Sequence, residues 1–200
     1  MAPSITTRHA GPDDAATIAD LHTDAWRVAY RGVIDDEVLD DPALRQARHD
    51  GWNRRLRDGP PPDGDTENEL FAGLIDGRVV GFGHAGREAD PVTGADGAPR
   101  FPAGGEIYGF YLHPDAWGSG VADALMDACM THLRRRFVHG VLWVLRDNPR
   151  ARGFYERHGW SCGIGADVIE EGWAGPVMPG APALPRPVAS LQYRISLDPS

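Results

Sequence analysis

Apolar side chains recur at every fourth position between residues 119 and 137. This spacing places them on one face of a helix and predicts a buried stripe. The stripe consists of Val121, Leu125, Cys129, Leu133 and Phe137. The same periodicity predicts helices over about 12–30, 34–39 and 42–56, and Asp13 in the first turn suits the start of the first of them.

Shorter segments of alternating or continuously apolar character predict strands between these helices. Asp76-Gly77 lies between two such segments and is typical of a tight hairpin turn. Another strand is expected directly before His113-Pro114, and a further one before Asn148. The remaining predicted strands cover residues 4–8, 70–75, 79–85 and 189–197.

Three stretches lack periodicity and are rich in Gly, Pro and Asp: 58–68, 86–105 and 163–186. The stretch 86–105 is either a loop on the substrate side or a disordered segment, and its length favours disorder. Helices and strands otherwise alternate without internal repeats over 200 residues. We therefore expect one α/β domain that spans residues 1–200.

Composition narrows the function classes. The formal net charge of −9 argues against general nucleic-acid binding and favours a cationic substrate. No apolar run is long enough to cross a membrane and the N-terminus has no apolar signal core, so a cytoplasmic protein is expected. Cys129 and Cys162 are too few for a disulfide framework, and the eight histidines lack metal-ligand spacing, so no metal is expected.

The most informative segment is GEIYGFYLHPDAWGSGVA, residues 105–122, in which a strand, a proline turn and a small-residue loop lead into the helix with the buried stripe. The first turn of a helix has amide donors without intrahelical partners and the positive end of the helix dipole. Gly118, Gly120 and Ala122 leave room for an anion to approach the backbone. A phosphate or pyrophosphate site is therefore predicted here.

Two common phosphate motifs do not fit this loop. A P-loop needs a lysine after its second glycine, and the chain contains no lysine, so that interpretation is excluded. A dinucleotide-binding fingerprint would have a third glycine where this chain has Asp123, so that interpretation is poor.

The run WGSGVA, residues 117–122, resembles the pyrophosphate loop Q/R-x-x-G-x-G/A of the GCN5-related N-acetyltransferases, with Trp117 in place of Gln or Arg. The segment LWVLRDNPRARGFYERHGW, residues 142–160, is similar to the later part of the same fold. The resemblance implies a mixed, strongly bent central sheet flanked by helices, and acetyl-CoA as co-substrate. It implies coenzyme contacts from Trp117, Gly118, Ser119, Gly120, Val121 and Ala122.

The resemblance also implies that the backbone of Phe110, Tyr111 and Leu112 pairs with the pantetheine arm, as an added strand would. Gly109 in the same strand indicates a bulge. Asn148 fits the N-cap of a short helix that begins at Pro149, and the family match adds a contact with pantetheine.

Arg150 and Arg152, near the start of the short helix, could reach the coenzyme's phosphates. A solvated helix face is the simpler alternative for both arginines.

Acetyl transfer to an amine needs a base for the ammonium and an acid for the departing thiolate. The family match places Tyr155 as the acid, with a core aromatic as the alternative. Glu106 takes the position of the base in one branch of the family, with water-mediated proton removal as its competitor. Trp26 and Tyr30 are either core residues or substrate contacts at a helix end that borders the acceptor cleft.

Together these residues predict an enzyme that acetylates a primary amine through direct attack in a ternary complex. The acidic charge and the long irregular loops favour a small molecule as the acceptor. Two alternatives stay open: a protein or peptide N-acetyltransferase, and a non-catalytic acyl-CoA-binding regulator. The resemblance also suggests a homodimer, in which the last strand or the proline-rich segment before it would form the contact.

Overall fold

Hydrogen bonds join seven strands of the described chain into one mixed sheet, in the order β1-β2-β3-β4-β5-β7-β6. The computed structural model describes residues 2–58, 67–89, 104–163, 170–173 and 184–197. The strands are β1 Ile5–His9, β2 Glu69–Ile75, β3 Arg78–Arg87, β4 Gly105–Leu112, β5 His139–Leu145, β6 Glu170–Trp173 and β7 Val188–Ser196. The helices are α1 Ala15–Ala29, α2 Asp36–Leu39, α3 Pro42–Asp58, α4 Val121–Arg134 and α5 Pro149–Arg157.

The hairpin predicted at Asp76-Gly77 joins β2 and β3. Both turn residues have positive φ, 49° at Asp76 and 78° at Gly77, as a tight hairpin turn between twisted strands requires. Antiparallel pairing then continues from β1 through β4. Local turn chemistry therefore explains the β2–β3 hairpin, whereas β1 and β4 join it by pairing between segments that are far apart in the chain.

β4 and β5 form the parallel pair of this sheet, and they pair over a short distance. Their register joins residues 105–107 to residues 140–142, and no further pairs follow. On the other side of β4, His84 pairs with Gly109 and Ala85 with Ile107, which leaves Tyr108 as an extra residue in a bulge. The bulge expected at Gly109 thus lies one residue away, at Tyr108. Beyond it, β4 and β5 diverge.

Helices cover both faces of the sheet. Helix α4 packs against β1, β2, β3 and β4, while α1 packs against α3 and against β3 and β4. The α4 side forms one core cluster with Phe71, Leu142 and Trp160. The α1 and α3 side forms a second cluster around Ile18 and Trp52.

The apolar stripe of α4 is buried as predicted. Val121, Leu125, Cys129 and Leu133 are inaccessible to solvent and Phe137 is nearly so. The helix begins at Val121 instead of 119 because Gly118 and Gly120 have left-handed φ angles of 78° and 91°. It ends at Arg134, so Phe137 reaches the core from the turn that follows.

Other boundaries differ from the sequence-based expectations. Residues Pro12–Asp14 form a 3-10 turn before α1, and the helix expected over 34–39 is the single turn α2. β6 lies in the stretch 163–186 that was expected to be irregular; that prediction was wrong there, because β6 forms by pairing with β7 and has no alternation of its own. Residues 59–66, 90–103, 164–169 and 174–183 lie outside the described parts, so the expectations for those loops stay predictions.

The last strand was expected to offer a dimer contact. In the sheet β7 lies between β5 and β6 and pairs with both, so its backbone groups are already used. The position of β6 at the edge of the sheet therefore excludes a dimer contact by strand addition at β7, and the homodimer itself stays a prediction.

Gly83 allows α4 to pack closely on β3. A Cβ atom at this position would lie 2.5 Å from the Sγ atom of Cys129. We expect Gly83→Ala to lower the free energy of unfolding by about 1–3 kcal/mol through overpacking. Denaturant unfolding measures the change.

A matched control and a double variant test the cause. Gly153→Ala lies in α5, where the added Cβ would meet Arg157 Nη1 at an ordinary 3.7 Å, and it should stabilise by roughly 0.5–1 kcal/mol. Adding Cys129→Ala to Gly83→Ala should recover part of the loss. Additive effects of the two substitutions would show that the sulfur contact is not the cause.

The position of Cys129 in the core also predicts its reactivity. Burial raises the pKa of the Cys129 thiol to about 12, whereas Cys162 is partly exposed. Iodoacetamide at about pH 8 should therefore modify Cys162 and spare Cys129 in the folded protein, because the thiolate is the reactive form. Mass spectrometry of Cys162→Ser should then show no adduct, whereas rapid labelling of that variant would contradict the buried position.

Candidate active site

A cleft of about 960 Å³ lies where β4 and β5 diverge. Its walls come from β4, from the loop before α4 and from the start of α5. Most of the residues predicted to bind the coenzyme line this cleft: Phe110, Tyr111, Leu112, Trp117, Gly118, Ser119, Gly120, Ala122, Asn148 and Tyr155. The divergence of the strands thus creates a space that the predicted residues share.

The small-residue loop reaches α4 through two left-handed glycines. A Cβ at Gly118 would meet nothing within 4 Å, so its φ of 78° and not crowding explains the glycine. Ser119 Oγ donates to the carbonyl of Ala116 at 2.7 Å and accepts the amide N–H of Val121 at 3.3 Å. The amides of Ala122 and Asp123 have no intrahelical acceptor by the geometry of a helix start, and the helical ladder begins with the amide of Ala124, which donates to the carbonyl of Gly120 at 3.3 Å.

Val121 differs from its neighbours in the loop. Its side chain is fully buried in the core, and Ser119 accepts its amide N–H. It does not line the cleft, in contrast to the sequence-based expectation. The physical reason is the four-residue stripe, which turns position 121 toward the sheet.

Two arginines of α5 have different surroundings. The guanidinium carbon of Arg150 lies 3.6 Å from the ring centre of Trp117, and both residues line the cleft. Arg152 instead donates to the hydroxyl of Tyr193 at 3.1 Å and to the carbonyl of Arg146 at 3.1 Å. Of the two arginines named from the sequence, Arg150 lines the cleft and Arg152 does not, because Arg152 is turned toward β7.

Helix α5 positions Tyr155 in the wall of the cleft. Asn148 caps this helix, its Oδ1 accepting the amide N–H of Ala151 at 3.1 Å, and Pro149 occupies the first helical position. Tyr155 is buried, and desolvation, followed by the nearby Tyr111 and Cys129, raises the pKa of its hydroxyl well above the ordinary value. The hydroxyl therefore stays protonated at neutral pH and keeps its hydrogen-bond donor.

A second cleft of about 580 Å³ includes Glu106, at the start of β4. Glu106 Oε2 accepts the amide N–H of Ala89 at 3.0 Å. The two clefts have five residues in common, which are Tyr30, Tyr108, Gly109, Tyr111 and Trp143. They therefore meet at the bulge and at the point where β4 leaves β5.

Trp26 and Tyr30, at the end of α1, pack edge-to-face with ring centres 4.8 Å apart. Trp26 is buried and lines the second cleft, and Tyr30 lines both clefts. Desolvation and the charge and hydrogen bond of Tyr111 raise the pKa of the Tyr30 hydroxyl. These residues thus act in the core and in the cleft wall at once.

Several residues of the second cleft were not singled out from the sequence. Burial, and then Arg55, lower the pKa of His84 to about 3, so its imidazole is neutral. His22 Nδ1 accepts the indole N–H of Trp52 at 3.3 Å, and burial lowers its pKa as well. The position of His84 two residues after Phe82 in β3 was the available signal, since i and i+2 share a face of a strand.

Arg48, on α3, is the most unusual charged residue of this region. It is fully buried, and its guanidinium carbon lies 4.7 Å from the ring centre of Trp26. None of its three guanidinium nitrogens has a hydrogen-bond partner in the described parts of the chain. Desolvation lowers the pKa of Arg48 to about 10, so it remains a cation at neutral pH.

Within the described ranges, no group of His, Cys, Asp and Glu side chains has the arrangement of a metal site. Among the same residues, no helix combines the length and the apolar character needed to cross a membrane.

Comparison with known proteins finds similar sequences among proteins named as acetyltransferases. Mycothiol acetyltransferase of Propionibacterium freudenreichii subsp. shermanii is 38% identical over 120 residues, which cover 60% of this chain and 34% of that protein. The enzyme of the same name from Saccharomonospora viridis is 32% identical over 127 residues, or 63% of this chain and 37% of that protein. The chain thus spans about a third of the length of these relatives.

Comparison of structures supports the same fold. The PaiA N-acetyltransferase of Thermoplasma acidophilum, solved with coenzyme A, matches with a TM-score of 0.62 and 14% identity and covers 96% of this chain and 99% of that one. The family model described as "Acetyltransferase (GNAT) family" matches residues 18–160. That match covers more than half of the chain and includes β4, the loop before α4 and α5, so the chain belongs to the GNAT family of acetyltransferases.

Proposed function

We propose that this chain transfers the acetyl group of acetyl-CoA to a primary amine of a small molecule, by direct attack within a ternary complex. The observation that carries the proposal is the meeting of the two clefts at Tyr108, Gly109 and Tyr111. A thioester in the first cleft and an amine in the second would reach each other only there. Reactions of this kind gain much of their rate from such positioning.

The first cleft suits the coenzyme. Unpaired amides at the start of α4 offer donors to a pyrophosphate, and left-handed Gly118 and Gly120 let it approach the backbone. Arg150 adds a cation on the face of Trp117, the residue that stands where the family motif has Gln or Arg. Beyond the three pairs with β5, the edge of β4 is available to the amides of the pantetheine arm.

The second cleft supplies the acceptor and the base. The ammonium of the acceptor loses a proton to Glu106, and the neutral amine then attacks the thioester carbonyl. His84 is a weaker candidate, because a pKa of about 3 makes it a poor proton acceptor. When the tetrahedral intermediate collapses, the C–S bond breaks and Tyr155 donates its proton to the thiolate. The attacking nitrogen loses its second proton as the amide forms, and this proton returns through solvent to the Tyr155 oxygen.

The size and the walls of the second cleft favour a small acceptor. A volume of about 580 Å³ lies in the range of small-molecule sites. Aromatic rings surround the space and would attract an ammonium group: Trp26, Tyr30, Trp52, Phe82, Tyr108, Tyr111 and Trp143. A protein acetyltransferase and a non-catalytic regulator remain the alternatives, and the presence of both Tyr155 and Glu106 argues against the regulator.

The test is turnover of acetyl-CoA with a panel of amines that includes amino acids, polyamines, aminoglycosides, short peptides and thiol-bearing amines. Thiol release is the readout for acceptors without a thiol, and chromatography of acetyl-CoA and coenzyme A is the readout for thiol-bearing amines. Thiol-bearing amines belong in the panel because relatives are named mycothiol acetyltransferases. For the amine that is turned over, Tyr155→Phe should lower kcat and Glu106→Gln should lower kcat/KM, each by about 100-fold, because each removes a proton-transfer group.

Two matched controls separate catalysis from structure. Tyr193→Phe removes a hydroxyl that lies outside both clefts and donates to Glu156. Glu69→Gln removes a carboxylate at the start of β2 that pairs with His9 and also lies outside both clefts. Both variants should keep wild-type turnover.

Because burial raises the pKa of Tyr155, the wild-type rate should not fall between about pH 8 and 10, where an ordinary tyrosine begins to lose its proton.

The outcomes distinguish the three functions. Peptides as the preferred acceptors would favour the protein-modifying alternative. Coenzyme A binding without turnover of any amine would favour the regulator. Equal losses in Tyr193→Phe and Tyr155→Phe would contradict the role of Tyr155 as the acid.

The position of Arg150 predicts a second result. Arg150→Gln should weaken coenzyme A binding by about 10-fold in calorimetry, because a charge-assisted bond to the pyrophosphate is lost. The loss should persist with dephospho-coenzyme A, which keeps the pyrophosphate. Arg152→Gln, on the same helix but bonded to Tyr193, should leave the affinity unchanged. A loss confined to Arg152→Gln would refute the assignment.

A further inference from the structure

Arg48 is a buried cation for which the fold provides no anion. Its side chain faces the rings of Trp26, Tyr30 and Tyr111, and no carboxylate is among the groups that act on it. The nearby carboxylates Asp20 and Asp24 belong to Arg45, one turn earlier on α3. In the described residues the donors of this guanidinium are unsatisfied, although buried polar groups are nearly always hydrogen-bonded.

The second cleft lies next to this guanidinium. Trp26 and Tyr30, which contact or face Arg48, line the cleft, and so does Gly51 on the same face of α3. Residues three apart on a helix are neighbours, and a side chain leans over the turn that precedes it. Arg48 itself is inaccessible and does not line the cleft. Because Gly51 has no side chain, a change of the Arg48 rotamer would bring its guanidinium to the cleft on that side.

The charges around the second cleft are unevenly distributed. Arg55, from α3, lines the cleft on the helical side, and Arg48 lies behind that wall. Glu106 of β4 and Glu171 of β6 line it on the side of the sheet. An acceptor with a positive and a negative end would match both sides, whereas a simple amine would leave Arg48 without a counter-ion.

We propose that the acceptor is an amine that also carries a carboxylate, that Arg48 binds this carboxylate, and that the amine end faces Glu106. The proposal rests on the function proposed above, of which it specifies the acceptor class. A guanidinium can hold a carboxylate through two parallel hydrogen bonds, which fixes the orientation of the bound molecule. Such binding would present the amine to the junction of the two clefts in one orientation.

Matched pairs of acceptors test the proposal. We would compare L-phenylalanine with 2-phenylethylamine, and L-leucine with isoamylamine, since each pair differs in the carboxylate alone. Calorimetry on the coenzyme A-loaded protein should show the amino acid of at least one pair bound roughly 10- to 100-fold more tightly than its decarboxylated partner, the range expected for a hydrogen-bonded charge. Thiol release should show the same preference in kcat/KM.

Variants of Arg48 identify the source of the preference. Arg48→Met, of similar length and without charge, should abolish the preference by weakening the amino acid and not the simple amine. Arg48→Lys should retain part of it. Arg54→Met, on the exposed side of α3, should change nothing. Removal of an unpaired buried charge should also raise the unfolding temperature of Arg48→Met, so loss of folding is not expected.

The results that overturn the proposal are distinct from those that overturn the proposed function. Preferential binding of neither amino acid, or equal weakening of both members of a pair in Arg48→Met, would show that Arg48 supports the packing of Trp26 only. Carboxylate-selective binding without thiol release for any amine would leave the binding role of Arg48 standing and remove the acetyltransferase function.

Discussion

The parting of β4 and β5 is the constraint on which the site depends. These strands pair through residues 105–107 and 140–142 only, after which the bulge at Tyr108 turns β4 away. Parallel strands normally share their backbone groups along their whole length. Here the pairing ends early, so the strands open a gap, and both clefts reach the same residues through it. The proposed meeting of thioester and amine follows from this one interruption of the sheet.

The core holds the two sides of the gap in place. On one face the buried stripe of α4 anchors the helix against β1 to β4, and its start therefore faces the first cleft with little freedom. The close approach depends on glycine at position 83, opposite the sulfur of Cys129. On the other face, α1 and α3 carry Trp26, Trp52 and Arg48 to the second cleft. Packing on both faces thus determines where the polar groups lie.

Desolvation shapes the chemistry of these groups. Burial keeps the Tyr155 hydroxyl protonated, so that it retains its hydrogen-bond donor, and it keeps His84 neutral with little tendency to accept a proton. The same burial leaves Arg48 charged but without a protein partner. An interior that excludes water strengthens each remaining interaction with a bound molecule. The proposed recognition of the acceptor by charge as well as by shape depends on this exclusion of water.

The sequence by itself determined the helices with a clear apolar stripe, the hairpin at Asp76-Gly77, the loop that leads into α4 and the family, because these depend on local periodicity, turn chemistry and a short motif. Only the tertiary structure decided the rest. β6 exists through its pairing with β7, and Arg150 lines the first cleft whereas Arg152 does not. His84 in the wall of the second cleft and Arg48 behind that wall come from distant segments of the chain. Such features depend on contacts between residues far apart in the chain, and a local pattern carries no information about which distant side chain will bury or desolvate a given group.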